Sequence, residues 1–370
     1  MHLDILRTQL RGVADVEAAV LGDSDAVSEA ISGATAIIAL ECGEDLLRSD
    51  LMAGVNLLQS PGSGTDRIDL ASMPAHTTVC NAGAHETAMA EYLMLGMLSH
   101  SHDFLEATSS FKADGSWRMS GRMGGPLHRE LSSATVGIVG LGLTGRATAA
   151  RASAFGMRVL GCNRSTDVSV PGLTAPVYPL HQLGTMMSEC DYLCLTCALT
   201  PETAGLLDAP TLARAKPGCV VLNVARAELI DERALYDALA SSHLGGALLD
   251  VWWQYPTRER PATRGSSLPF HELPGVMMTP HASCWSRDML DRRWEGIAAN
   301  LRAAVRGDYA ALTHVVRDAR SPAPPPRTPT PTAPPKARDT APPKLEAVVP
   351  RETPADVPAA RAKCGAATVQ

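Results

Sequence analysis

Three glycines and one arginine carry the first chemical signal in this 370-residue chain. Gly140, Gly142 and Gly145 form a G-x-G-x-x-G directly after the apolar run "TVGIV" and ahead of the helical pattern "RATAARASAFG". In that context the first glycine permits a tight turn, the second lets backbone approach a pyrophosphate, and the third lets helix pack on strand. The phosphates then sit at the helix N-terminus beside Leu143 and Thr144, where free N–H groups and the dipole favour anions. Arg226 closes a second apolar run, "CVVLNVA". At the end of a strand, a guanidinium can hold a carboxylate through two parallel hydrogen bonds and polarise the carbonyl next to it.

The cofactor's identity turns on the end of the following strand, where an acidic residue would hold the ribose hydroxyls of NAD. The sequence there reads Cys162-Asn163-Arg164-Ser165-Thr166. A neutral Asn163 followed by Arg164 and Ser165 suits a 2′-phosphate, so the expected cofactor is NAD(P)H with a lean to NADP. Asp167 nearby keeps NAD open. No metal is expected. Cys194 and Cys197 form a CxxC on a strand, where residues three apart face opposite ways. His100 and His102 lack further ligands in sequence and read as a solvated helix end.

The elements that would hold these residues alternate between apolar runs and helical patterns, the signature of parallel sheet built from βαβ units. Runs at 134–140, 157–163, 191–198, 219–225, 245–251 and 275–281 read as strands buried on both faces. They make one doubly wound (Rossmann) unit, expected over 103–284. Shorter runs at 35–40, 55–60 and 77–82 imply a smaller α/β substrate-binding unit from 1–102 and 285–316. The patterns "MAEYLMLGMLSH" and "MLDRRWEGIAANLRAAVRG" supply the two helices that pass between the units. Beyond Arg317 nearly half of the chain's 27 prolines occur with few large apolar residues. That tail, 317–370, is expected to be disordered, with PxxP patterns that suit an aromatic-lined groove.

Composition narrows the partners. Hydrophobic residues make up 45% and the net charge is −6, without a dense basic block, so nucleic acid and anionic membrane find little to hold. No apolar run approaches the roughly 20 residues that span a bilayer, and "MHLDILRTQL" lacks the features of a signal peptide, so the chain reads as cytoplasmic.

Six segments in order, "LLQSPGSGTDRIDL", "VGIVGLGLTGRA", "LTPETAGLLD", "KPGCVVLNVARAELIDERAL", "GGALLDVW" and "LPGVMMTPHAS", resemble the D-isomer-specific 2-hydroxyacid dehydrogenases, a group that includes formate and phosphite dehydrogenases. The resemblance covers roughly residues 35 to 305. It implies a Rossmann unit inserted into a smaller, flavodoxin-like α/β unit, a homodimer joined largely through the larger unit, and hydride exchange between the cofactor and a small 2-oxoacid or D-2-hydroxyacid. By the same resemblance Arg226 binds the substrate carboxylate and His281 is the acid/base. Ser63 and Gly64 present backbone N–H groups to the carboxylate, with Asn81 and His85 further along that wall. Thr203, Ala225 and Asp250 add to the cofactor side.

One departure stands out. The family places a Glu five residues after the strand Asp and just before Pro, where it hydrogen-bonds the histidine and raises its pKa. Counted from Asp250, that position holds Tyr255, followed by Pro256. A hydroxyl can orient an imidazole but does not stabilise imidazolium as a carboxylate does. Three readings follow: an ordinary ketoacid reductase served by Asp250 or a loop acid such as Glu259; a formate-type enzyme in which Gln254 or Tyr255 pairs with a histidine that carries no proton; or a dinucleotide-binding sensor without turnover.

Overall fold

The computed structural model describes residues 2–17, 24–43, 46–47, 51–257 and 260–320. Three short strands, β1 (Ala36–Ile38), β2 (Leu57–Gln59) and β3 (Thr78–Cys80), pair in parallel. The chain then passes along the helix Glu86–Ser101 into a second, larger sheet. Its strands are β4 (Thr135–Val139), β5 (Arg158–Asn163), β6 (Tyr178–Pro179), β7 (Tyr192–Leu195), β8 (Val220–Asn223), β9 (Gly246–Leu249) and β10 (Val276–Met278). They are all parallel, in the order β10-β9-β8-β7-β4-β5-β6. The helix Arg287–Val305, capped by the Ser286 side chain accepting from the Met289 N–H, returns the chain to the small sheet. There β11 (Val315–Arg317) runs antiparallel beside β3.

Apolar burial explains this layering. The middle strands β4, β7, β8 and β9 are buried along their whole length, as continuous apolar runs in a doubly covered parallel sheet must be. One face packs around Leu160, Met186, Leu193, Val221 and Phe270, the other around Leu93, Met97, Ile138, Cys194 and Leu222. Leu93 and Met97 come from the helix Glu86–Ser101, whose Gly96 lies so near that a Cβ would meet Leu248 at 2.7 Å. The small sheet is covered on one side by Trp294, Ile297 and Leu301 of the returning helix.

The structure refines several expectations. β1 and β10 are only partly buried, because each lies at the edge of its sheet. β6 and β11 escape a sequence reading, β6 being two residues long and β11 lying largely exposed at a sheet edge. The described strands of the small sheet follow in the order β1-β2-β3-β11, with the returning strand at the edge beside β3. Order also continues past the expected boundary at residue 317. The Arg317 guanidinium donates to the Pro74 and Thr77 carbonyls, and Arg320 donates to the Tyr309 carbonyl. The proline-rich segment from 321, with its PxxP patterns, lies outside the described residues, as does Glu259.

Candidate functional site

The order of the large sheet reverses between β4 and β7, and the turn after β4 is the glycine motif. Gly140 adopts φ +93°, and a Cβ there would meet Cys197 backbone at 2.6 Å. A Cβ on Gly145 would overlap the Gly140 carbonyl, so this glycine lets the helix Leu143–Ala154 seat on the strand. Gly142, between them, has nothing within 4 Å of its Cβ position. The first helical bond runs from the Arg146 N–H to the Gly142 carbonyl, leaving the N–H groups of Leu143, Thr144 and Gly145 ahead of it. A tight turn, an open middle glycine and free N–H groups fit a dinucleotide pyrophosphate.

The loop beyond β5 is shaped by Asn163. Its Oδ1 accepts from the Leu141 N–H at 3.3 Å and its Nδ2 donates to the Ser165 carbonyl at 2.9 Å, tying the glycine turn to the 164–165 loop. Arg164 and Ser165 are exposed beside a hollow of about 580 Å³ lined by Thr166, Val168, Leu173 and Pro179. Thr203 turns inward instead. Its hydroxyl donates to the Ala198 carbonyl and accepts from the Thr200 N–H, so it shapes the loop after β7. Ala225 is buried, and its carbonyl accepts from Arg226 Nη1 at 2.8 Å.

Arg226, beyond the end of β8, meets a residue that sequence reading passed over. Asp66, in the loop after β2, accepts from Arg226 Nη2 at 2.9 Å and from Nε at 3.2 Å. Burial would raise the Asp66 carboxyl, but the hydrogen bonds and charge of Arg226, with Arg67, hold it below the usual carboxylate range. Since a guanidinium has five N–H donors, Asp66 and Ala225 leave one N–H on Nη1 and one on Nη2 for a ligand. Asp66 thus braces Arg226 without consuming it.

The same loop carries Ser63 and Gly64, whose backbone N–H groups donate to no acceptor among the described residues. Asn81 Nδ2 donates to the Ser63 carbonyl at 2.7 Å. Behind it, Asn300 donates to Gln59 Oε1, and Gln59 Nε2 donates to the Ser60 and Asn81 carbonyls, so a buried polar network sets the loop's position. His85 is not brought to Arg226. It precedes the helix Glu86–Ser101, and burial, then the charge of Arg293, lowers its pKa.

His281, three residues past β10, hydrogen-bonds through Nδ1 to the Tyr255 hydroxyl at 2.7 Å. The neutral residue at the family's Glu position therefore does address the histidine. Asp250 does not touch the ring. Its carboxylate accepts from Thr279 Oγ1 at 2.7 Å and from the Ala282 and Ser283 N–H groups at 2.7 and 2.8 Å. These bonds fix the chain on both sides of His281, whose φ of +57° is a left-handed conformation that a non-glycine residue keeps only when its surroundings impose it. Gln254 is held by its backbone N–H to the Gly265 carbonyl. Burial lowers the His281 pKa below 6.5; Asp250 opposes this, while Arg226 and Arg67 add to it. Burial likewise raises the Tyr255 pKa, so the pair is neutral at pH 7. An acceptor-and-donor hydroxyl accommodates either imidazole tautomer, where a carboxylate would impose Nδ1–H.

The clamp by Asp250 predicts a stability effect. Asp250→Asn turns an N–H group toward one of its three donors, and the unpaired donor should cost about 2 kcal/mol, read as a lowered midpoint in thermal unfolding. An unchanged midpoint would mean that these bonds contribute little.

No group of three or more His, Cys, Asp or Glu side chains suited to a metal occurs among the described residues. The eight described cysteines are free thiols, and no described helix is long and apolar enough to cross a membrane.

Comparison with known proteins places this geometry. Residues 94–283 match the model of the D-isomer specific 2-hydroxyacid dehydrogenase NAD binding domain. Over 258 residues the chain is 32% identical to D-3-phosphoglycerate dehydrogenase of Mycobacterium leprae, covering 69% of this chain and 46% of the relative. The chain thus spans about half the length of the curated relatives it matches. Among solved structures, the NADPH-dependent glyoxylate/hydroxypyruvate reductase of Sinorhizobium meliloti, in complex with NADP and sulfate, superposes with a TM-score of 0.64 at 25% identity, covering 77% of this chain and 85% of that one. The D-lactate dehydrogenase of Aquifex aeolicus, complexed with NAD and lactic acid, gives 0.70 at 22% identity over 85% and 96% of the two chains, a likeness of fold. With its glycine turn at the sheet's switch point and the matched segment spanning β4 to β10, the chain belongs to the D-isomer specific 2-hydroxyacid dehydrogenase family.

Proposed function

We propose that this protein is an NAD(P)-dependent oxidoreductase that interconverts a small 2-oxoacid and the D-2-hydroxyacid. One observation carries the reading: Arg226, with two N–H groups left free, and the Tyr255–His281 pair follow β8, β9 and β10, at the same carboxyl edge of the sheet as the glycine turn after β4. When bound, the nicotinamide cofactor supplies or takes up the hydride. Gly142 and the N–H groups at 143–145 would hold its pyrophosphate. Arg226, with the N–H groups of Ser63 and Gly64, binds and orients the substrate carboxylate. His281 Nε2 gives a proton to the carbonyl oxygen in reduction and takes it back in oxidation, while Tyr255 orients the ring.

Arg164, Ser165 and the absence of an acid at Asn163 support a preference for NADP, as a guanidinium and a hydroxyl suit a 2′-phosphate. Steady-state assays of a 2-oxoacid panel with each cofactor test both points. The expected result is turnover with a lower KM for NADPH than for NADH. A clear preference for NADH would overturn the NADP assignment, and dinucleotide binding without any turnover would favour a sensor. The neutral Tyr255 partner also favours one alternative, a formate-type enzyme. Formate oxidation that survives replacement of His281 would put that reading in place of this one.

A homodimer joined through the larger unit is part of the same proposal. Phe104, Leu105, Phe111, Trp117 and Leu127, between the helix Glu86–Ser101 and β4, expose large apolar surfaces, and Leu127 is 98% exposed. Free cysteines suit a reducing compartment and support a cytoplasmic location.

A further inference from the structure

We propose that Arg67 recognises a second anionic group on the substrate, so that the preferred 2-oxoacids carry a distal carboxylate or phosphate; this rests on the 2-oxoacid reading above. Arg67 follows Asp66, the brace of Arg226, and its guanidinium lies over the ring of Tyr255, 6.0 Å from the centroid. Tyr255 in turn holds His281. Arg67 and Arg226 therefore flank the histidine's partner, and the charge of each reaches His281, Tyr255 and Asp66.

The backbone at this position is fixed. The Cys42 N–H donates to the Arg67 carbonyl at 3.1 Å, and the Asp69 N–H donates to the Cys42 carbonyl at 3.0 Å. A bridge between Cys42 and Ile68 completes the tie. Arg67 Nη1 donates to Glu41 at 2.6 Å, while Nε and Nη2 have no partner among the described residues, and the side chain is half exposed. Glu41 thus orients Arg67 as Asp66 orients Arg226, with donors to spare in both guanidiniums. Such a braced, planar fork suits a carboxylate or phosphate oxygen pair. With the α-carboxylate on Arg226 and the carbonyl at His281, a short anionic side chain has Arg67 within its reach. A plain surface pair with Glu41 would act alike on every substrate, which separates the two roles.

The test compares kcat/KM of the full-length protein for glyoxylate and pyruvate with that for oxaloacetate, 2-oxoglutarate and 3-phosphohydroxypyruvate. In the unaltered protein the dianionic acids are expected to lead by about tenfold or more, the scale of one charge-assisted hydrogen bond. Arg67→Met should lower the dianion-to-monoanion ratio by about tenfold or more, and Arg67→Lys by less. The carboxylate and phosphate arms identify which anion is read. A ratio unmoved in both variants, with monoanions turned over, overturns the Arg67 assignment alone. No turnover of any 2-oxoacid overturns the underlying reading and this proposal with it. Unfolding midpoints within a few degrees of the parent's exclude a folding defect as the cause.

Discussion

Replacing His281 by Gln is expected to lower kcat for 2-oxoacid reduction by about a hundredfold to ten-thousandfold, the range assigned to a positioned acid or base. Gln fills a similar volume and still offers Tyr255 a hydrogen bond, but it cannot transfer a proton. The glycine cradle follows a different strand, so titration with NADPH should show binding retained. A rate within tenfold of the parent's would remove the histidine from the chemistry. The loss should be confined to kcat and kcat/KM, because Arg226, Ser63 and Gly64, the proposed carboxylate-binding groups, are left in place.

The second large effect comes from a residue with no functional group. A Cβ on Gly64 would overlap Arg226 Nη2 and approach Asp66 Oδ1 to 2.7 Å. Gly64→Ala therefore forces the guanidinium out of its bidentate seat. Displacing a substrate-positioning group by about 1 Å can cost a hundredfold in rate, so kcat/KM should fall by about that factor, with a raised KM for the 2-oxoacid. Stability should change by only about 1 kcal/mol, because the Asp66–Arg226 pair is partly exposed. A normal KM in this variant would show that Arg226 does not bind the substrate.

The residues of this site were unequally legible in sequence. The large sheet could be read because β4, β7, β8 and β9 are buried on both faces and their sequences are unbroken apolar runs. β11 was hidden because its exposed, antiparallel edge position leaves no such run and the proline-rich composition follows closely. Arg226 is visible from its place at a strand end, and His281 from the family resemblance. Tyr255 is legible by counting from Asp250 to Pro256, and its hydroxyl hydrogen-bonds His281 Nδ1. Asp66 is not legible in sequence because its partner lies 160 residues away, and no periodicity encodes such a contact. The acid two residues past Gly64 was the available signal. Asp250 was read as a possible partner of the histidine, but its three hydrogen bonds hold the backbone around it. Thr203 and Asn163 likewise proved to tie loops together, a role set by local hydrogen bonding that composition does not show.

In the proposed reaction His281 transfers the proton, and Tyr255, a neutral partner, leaves its pKa low. The pH dependence of kcat/KM for 2-oxoacid reduction, between about pH 5 and pH 9, tests it most directly. Reduction needs the protonated imidazole, and burial with Arg226 and Arg67 holds its pKa below 6.5. Activity should therefore fall as pH rises through a value on the acid side of 6.5. Tyr255→Glu places a carboxylate against Nδ1, favours imidazolium, and should move that falling limb upward by about one pH unit or more. Superimposable limbs in the two proteins, or a parent limb well above pH 7, would contradict the claim.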